Sequence, residues 1–308
     1  MEILFLGTGA SVPSKDRSTS CLALRHGPDI LLMDCGEGSQ RQLMISPFSF
    51  MKVRAILVTH LHGDHVLGLP GLLQTMGLMG RKDPLAIYGP EGLSGFVQTS
   101  SAATGAEIPY ALEVIEVSPG GRFQVGPFSV KAVATDHGIP SLAYSVSEPD
   151  RPGRLDRAKA LSLGIKDGPD MARLKNGEAV GGVSPEMVVG PSIKGVRVVY
   201  TGDTRPSKGL SEVFMGADVI IHESTYVDAD SALAEAHFHS TAGQAARAAA
   251  EAGARMLILT HVSNRYDEMR EEVLAEAKEF FGESVLAEDF DMYDAGVKSI
   301  RKISRDVR

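Results

Sequence analysis

Thr59-His60-Leu61-His62-Gly63-Asp64-His65 follows directly on the strand-like run Val53–Val58. Four residues able to ligate a metal, His60, His62, Asp64 and His65, lie within six positions. The run before them reads as a strand, and Gly63 permits a tight turn. His60 and His62 alternate at the strand end, so they can point one way. Asp64 and His65 then start a helix and point another. One tetrahedral ion does not need four ligands from one segment, so the spacing suggests two ions side by side. Imidazoles and carboxylates without thiolates favour zinc, with manganese or iron as alternatives.

Working outward, four more apolar runs end in the same kind of residue. Phe128–Ala134 leads into Thr135-Asp136-His137, and Val196–Thr201 into Gly202-Asp203. Asp218–Ile221 leads into His222-Glu223, and Arg255–Leu259 into Thr260-His261. Each alone could be a polar strand cap. Five together indicate side chains converging from a rigid frame. Further strands are expected at Ile3–Leu6, Cys21–Arg25, Asp29–Met33, Leu85–Tyr88, Leu112–Val117 and Leu142–Ser147. Helical patterns cover Ser39–Ile45, roughly Val66–Met79, Glu91–Ala102 and Asp267–Phe281. Another spans Ala242–Ala252, with Ser240 or Thr241 as N-cap and Gly253 just past its end. The mixture gives an α/β or α+β class, helices covering packed sheets.

The chain has 308 residues, 43% hydrophobic and 23% charged, which fits a globular protein of one large or two small domains. With 31 Lys+Arg against 39 Asp+Glu the net charge is −8, which argues against a polycation that coats nucleic acid. Two cysteines are too few for a disulfide framework or a thiolate-rich zinc finger, and a cytoplasmic location is expected. Met1–Gly9 reads as a strand rather than a signal peptide, and no run approaches the roughly 18 apolar residues of a membrane span. From Asp150 to about Lys194 the apolar periodicity weakens, with one short helix at Asp156–Leu163. The segment reads as an excursion from a single domain 1–308. Residues 151–175 hold seven basic residues, Arg151, Arg154, Arg157, Lys159, Lys166, Arg173 and Lys175, and three acids. That local charge of +4 leaves −12 elsewhere, and charge concentrated on an arm suits a phosphate backbone. A solvated charged loop is the plainer alternative.

His60-x-His62-x-Asp64-His65 resembles the signature of the metallo-β-lactamase superfamily. Asp34 in Met33-Asp34-Cys35-Gly36-Glu37-Gly38, then His137, Asp203 and His261, stand in the order of its remaining motifs. The resemblance implies a four-layer αββα sandwich with the site at one edge. Finer features resemble the short form of the tRNA 3′-processing endonucleases, ribonuclease Z. These are Phe5-Leu6-Gly7-Thr8-Gly9, His222-Glu223-Ser224-Thr225 and His237-Phe238-His239-Ser240-Thr241. Pro13-Ser14-Lys15-Asp16-Arg17-Ser18 is similar to that family's Pro-x-Lys-x-Arg-Asn loop, with Ser18 in place of Asn. Gly168-Pro169 resembles the Gly-Pro motif of its flexible tRNA-binding arm, here 150–195.

The resemblance allots the roles. One zinc takes His60, His62 and His137, the other Asp64, His65 and His261, and Asp203 bridges both. Asp64 also helps orient the nucleophile. His239 protonates the leaving 3′-oxygen, with Glu223 orienting its imidazole. Lys15, Arg17 and the basic arm residues contact precursor tRNA, and the enzyme is a homodimer. His222 and His237 are read as hydrogen-bond partners of ligands. The nearest rival is a dinuclear phosphodiesterase for small or cyclic nucleotides. Thioester or antibiotic hydrolysis and an RNA-binding protein with a dead metal site fit less well.

Overall fold

In the computed structural model, which describes residues 1–105 and 107–303, the expected strands appear with small shifts at their ends. The first six are β1 (Glu2–Gly7), β2 (Cys21–His26), β3 (Asp29–Met33), β4 (Val53–Leu57), β5 (Leu85–Gly89) and β6 (Leu112–Glu116). Then come β7 (Arg122–Val125), β8 (Phe128–Ala134), β9 (Leu142–Ser147), β10 (Arg197–Tyr200), β11 (Val219–Glu223) and β12 (Met256–Thr260). The last three, β13 (Ser284–Leu286), β14 (Met292–Ala295) and β15 (Ile300–Ile303), were not expected, nor was β7. These four are short, so alternation has too few positions to register.

The strands form two sheets, ordered β15-β14-β1-β2-β3-β4-β5-β6 and β13-β12-β11-β10-β9-β8-β7. In the first, β3 to β6 run parallel. In the second, β10 to β13 run parallel, and β8 is antiparallel to β9, which is antiparallel to β10. Hence β8, β10, β11 and β12 all end at one edge.

Buried strands carry apolar side chains on both faces, and the two faces go to different cores. Ile3 and Phe5 of β1 meet Tyr144, Val198 and Ile221 between the sheets. Leu4 and Leu6 turn to the other side, against α1 (Ser39–Ile45) and the longer helix Leu69–Leu78. Val199, Ile220 and Leu257 of the second sheet likewise pack on the helices Lys208–Phe214, Ala242–Glu251 and Arg270–Phe280. Three apolar layers separate four structural layers, helix, sheet, sheet and helix. The helix from Ala242 has Thr241 as N-cap in a capping box with Gln244, and Gly253 follows its end at φ +64°. No helix among the described residues is long and apolar enough to cross a membrane.

Residues Glu148–Gly195 form a second compact unit. Weak apolar periodicity concealed a small core of its own, Ala160, Ile165, Met171, Leu174, Val183 and Val188. Its periodicity is weak because the core is shared among three helices of four to seven residues, too short to repeat a pattern. The two chains of its stem pair at Arg151–Ile193 and Leu155–Val189. They approach so closely that a Cβ on Gly153 would lie 2.0 Å from the Gly190 carbonyl oxygen. The unit as folded holds eight basic and seven acidic residues, a net charge of +1. The +4 of residues 151–175 is therefore diluted by acids in the flanking sequence.

Candidate metal centre

The carboxyl ends of the parallel strands gather the chemistry. His60 and His62 follow β4, and Asp64 and His65 lie in a one-turn helix α2 (Gly63–Val66). His137 follows β8, Asp203 follows β10 and His261 follows β12. Glu223 is the last residue of β11 itself, so this strand runs two residues beyond the expected Ile221. Gly36 lets the Asp34 turn lie against α2, since a Cβ there would meet the Asp64 carbonyl oxygen at 2.1 Å.

Two sets of donor atoms result. His60, His62, His137 and Asp203 form one, and Asp64, His65 and His261 the other, each within 4.8 Å. Asp203 reaches both, with Oδ2 3.7 Å from His60 Nε2 and 3.4 Å from His261 Nε2, and Oδ1 3.5 Å from His65 Nε2. His261 Nε2 is 3.2 Å from Asp64 Oδ2.

Four of the five imidazoles have Nδ1 committed to the protein. His65 Nδ1–H donates to Asp34 Oδ2 at 2.8 Å, and His60 Nδ1–H to Thr59 Oγ1 at 3.0 Å. His261 Nδ1–H donates to Thr225 Oγ1 at 2.8 Å, and His137 Nδ1–H to the Phe238 carbonyl at 3.0 Å. The Nε2 lone pair of each is thereby turned to the cluster. His62 instead presents Nδ1, 3.1 Å from both His60 Nε2 and His137 Nε2. Nitrogens crowded this way, with few protons to share, suit a cation. His65 Nε2 and Asp203 Oδ1 are buried and have no hydrogen-bond partner among the described residues, which is costly unless something else binds them. The donor set therefore fits metal ions. Burial holds His60 and His62 below the ordinary imidazole pKa, in the neutral form a metal requires.

The surrounding backbone is held in uncommon conformations. Five non-glycine residues among those described have positive φ, and four touch this centre: Ser11, Asp34, Phe238 and His261. Ser11 N–H donates to Asp64 Oδ2 at 2.8 Å.

Beside Asp203, His239 Nδ1–H donates to Glu223 Oε1 at 2.9 Å. Glu223 is buried and also accepts from the Thr204 and Thr225 backbone N–H groups and the Thr225 hydroxyl. Burial would raise its pKa, but His239, with a smaller contribution from His261, holds it below the ordinary carboxylate value. Burial alone would lower His239, yet the Glu223 carboxylate carries it up to about 9. His239 also lies near Asp203 and His261 as a third donor grouping. Its Nδ1 is occupied by Glu223, and the raised pKa keeps a proton on the ring.

Some expected residues lie elsewhere. His222 does not touch a ligand. Its Nδ1–H bonds the Glu223 carbonyl at 2.7 Å and its ring packs near Phe214, on the helix side of the second sheet. His237 contacts Tyr226 and is exposed. The ligands' partners are instead Asp34, Thr59, Thr225 and a main-chain carbonyl. Thr59 and Thr225 adjoin motif histidines or acids, a signal legible afterwards. Arg17 is buried, and its guanidinium donates to the Thr8 and Val262 carbonyls, to Asn264 and to the exposed Asp267. These internal bonds give the side chain a structural role, while it also lines the cavity described next. Lys15 is exposed beside a cavity of about 520 Å³ also lined by Arg41 and Arg270. The seven arm residues are all exposed. Arg157 pairs with Asp167, Arg173 with Glu178 and Asp170, and Arg151 with Glu148. Arg154, Lys159, Lys166 and Lys175 have no carboxylate partner among the described residues. Gly168, at φ +131°, and Pro169 start the helix Pro169–Lys175.

A cluster of imidazoles and carboxylates at the strand ends of an αββα sandwich defines a metal-dependent hydrolase of the metallo-β-lactamase fold. The family described as Beta-lactamase superfamily domain matches residues 171–262, and that described as Anti-Pycsar protein Apyc1 matches residues 1–148. Ribonuclease Z of Methanosarcina mazei is 43% identical over 293 residues, covering 94% of this chain and 96% of that protein. Ribonuclease Z of Bacillus licheniformis is 41% identical over 307 residues, covering 97% and 99%. The crystal structure of human tRNase Z, short form, superposes with a TM-score of 0.70 at 30% identity, covering 96% of this chain and 100% of that one. The chain belongs to the ribonuclease Z family.

Proposed function

We propose that this protein removes the 3′ trailer from precursor tRNA by one cut just after the discriminator base. The tRNA keeps a 3′-hydroxyl and the trailer a 5′-phosphate. As a ribonuclease Z the chain is a tRNA 3′ endonuclease, a phosphodiester hydrolase. The observation that carries the finer reading is the pair of donor sets sharing Asp203, with the Glu223–His239 pair beside it.

His60, His62, His137 and Asp203 would hold one zinc, and Asp64, His65, His261 and Asp203 the other. When bound, such ions make water nucleophilic near neutral pH and neutralise phosphate charge. The remaining work belongs to side chains of the protein. Asp64, fixed by Ser11 N–H and His261, helps orient the nucleophile. Glu223 accepts the His239 Nδ1 proton and stabilises the imidazolium, which leaves the other ring nitrogen to protonate the departing 3′-oxygen. Lys15 and the unpaired cations Arg154, Lys159, Lys166 and Lys175 supply contacts to tRNA phosphates, with Arg151, Arg157 and Arg173 exposed alongside them. The enzyme acts as a cytoplasmic homodimer.

Incubation with a 3′-extended precursor tRNA, with the ends mapped, tests this. A single cut after the discriminator base with a 3′-hydroxyl is expected. Cleavage of small phosphodiesters alone would reject the tRNA reading.

A further inference from the structure

The metal centre draws its donors from both sheets. His60, His62, Asp64 and His65 follow β4 of the first, while His137, Asp203 and His261 follow strands of the second. Their mutual distances depend on how far apart the sheets sit at this edge. Apolar packing alone sets such a spacing loosely, because it is non-directional. Hydrogen bonds that cross between the sheets set it directionally.

Two such bonds come from a pair of tyrosines directly opposite in register, Tyr144 on β9 and Tyr200 on β10. Both side chains are buried between the sheets. Tyr144 O–H donates across to the Val58 carbonyl at 2.7 Å, two residues before His60. Tyr200 O–H donates to Asp34 Oδ2 at 2.9 Å. That oxygen also accepts the Nδ1–H of His65 at 2.8 Å, while Asp34 Oδ1 accepts the Thr59 N–H at 2.7 Å. One carboxylate oxygen thus ties a first-sheet ligand to a second-sheet strand. Three residues beyond Tyr200 on that same chain lies Asp203, whose Oδ1 stands 3.5 Å from His65 Nε2.

We propose that Tyr200 is a positioning residue for the metal centre: through Asp34 Oδ2 it sets the separation of His65 from Asp203. Tyr144 holds the sheets together at the same level without touching any partner of an imidazole. The two tyrosines therefore differ in consequence, although they look alike in burial and bonding. Removal of the Tyr200 hydroxyl takes away the only one of these bonds that reaches Asp34 from the second sheet, leaves the carboxylate held by Thr59 alone on the protein side, and loosens the direction of the His65 ring. The set Asp64, His65 and His261 weakens most, because His65 bonds the same Asp34 oxygen directly, while His60 feels Asp34 only through Thr59. Loss of a group that orients a ligand's partner typically costs 10- to 100-fold in metal affinity.

This inference rests on the two-metal reading of the site, and the test separates the two. Metal-free full-length protein is titrated with cobalt(II), followed by its visible absorption, and thermal unfolding is recorded for each variant. Wild type should bind in two steps. Tyr200→Phe should weaken one step by about 10- to 100-fold and leave the other within twofold. Tyr144→Phe should lower the unfolding temperature and leave both steps within twofold. Should Tyr200→Phe not fold, Asp34→Asn preserves the volume, weakens the acceptor and should cost more in the same step than in the other, which Asp34 reaches only through Thr59; equal losses in the two steps would overturn the proposal. Unchanged binding in Tyr200→Phe overturns the proposal, as does an equal loss in both tyrosine variants. Wild type that binds no cobalt overturns the metal reading and this inference with it, whereas cleavage of tRNA is judged separately.

Discussion

Arg17→Ala separates a structural arginine from an RNA-binding one. The side chain is 6% exposed. It donates to the Val262 carbonyl at 2.7 Å, Asn264 Oδ1 at 3.0 Å and the Thr8 carbonyl at 3.3 Å, and it also pairs with Asp267. A hydrogen bond to a charged group contributes roughly 1.5–3 kcal/mol. The contact at 3.3 Å is long, and Asp267 is 38% exposed, so solvent screens that pair. Two good bonds remain, and water entering the vacated space recovers part of their loss. A net destabilisation of about 3 kcal/mol follows. At roughly 2–4 °C per kcal/mol for a chain of this size or somewhat smaller, unfolding should fall by about 6–12 °C. Val262 adjoins His261, so metal affinity should fall with it. The assay is thermal and urea unfolding of wild type and variant, with tRNA binding measured against salt. The salt slope should be unchanged, because no phosphate contact is lost. Wild-type stability with a slope shallower by about 0.9 would refute this and return Arg17 to the RNA surface.

Other expectations follow from the same geometry. His239→Ala should lower turnover by about 10²–10⁴-fold at saturating substrate, with metal content by elemental analysis unchanged. Replacing Arg154, Lys159, Lys166 and Lys175 together with Ala should weaken precursor tRNA binding and reduce the salt slope by roughly 3, while hydrolysis of a small phosphodiester is spared. Burial holds the His222 imidazole below its ordinary pKa, so the unfolded chain binds the proton more readily. Stability should be full above about pH 6.5 and decline as pH falls from there towards the folded pKa, by at most about 1.4 kcal/mol per pH unit. His222→Gln should flatten that part of the curve in unfolding experiments at pH 7.5 and 5.5. An identical slope would show that another group is responsible.

Much of the site was legible because its signals are local. A strand ending in a histidine or acid is a pattern within one run of residues, and His60, His62, Asp64, His65, His137, Asp203 and His261 all announced themselves that way. What failed depended on facing direction or on partners far along the chain. His222 sits one residue from Glu223, yet alternation along a strand sends the two side chains to opposite faces of the sheet. Arg17 lies in a motif loop, yet its acceptors at Val262, Asn264 and Asp267 are about 250 residues away. The compact unit at Glu148–Gly195 lacked long periodic segments, so its apolar cluster left no repeat to find.

The amino-acid sequence by itself determined the ligand types, their order and the strands that present them. Those follow from side-chain chemistry and from a period of two along each strand. Tertiary structure alone decided which nitrogen of each imidazole faces the centre, because that depends on where Asp34, Thr59, Thr225 and the Phe238 carbonyl come to rest. It also decided that Asp203 reaches both donor sets and that Tyr200 meets Asp34, 166 residues earlier in the chain. A metal centre needs donor atoms placed to within tenths of an ångström, and packing of two sheets sets such distances where no local pattern can.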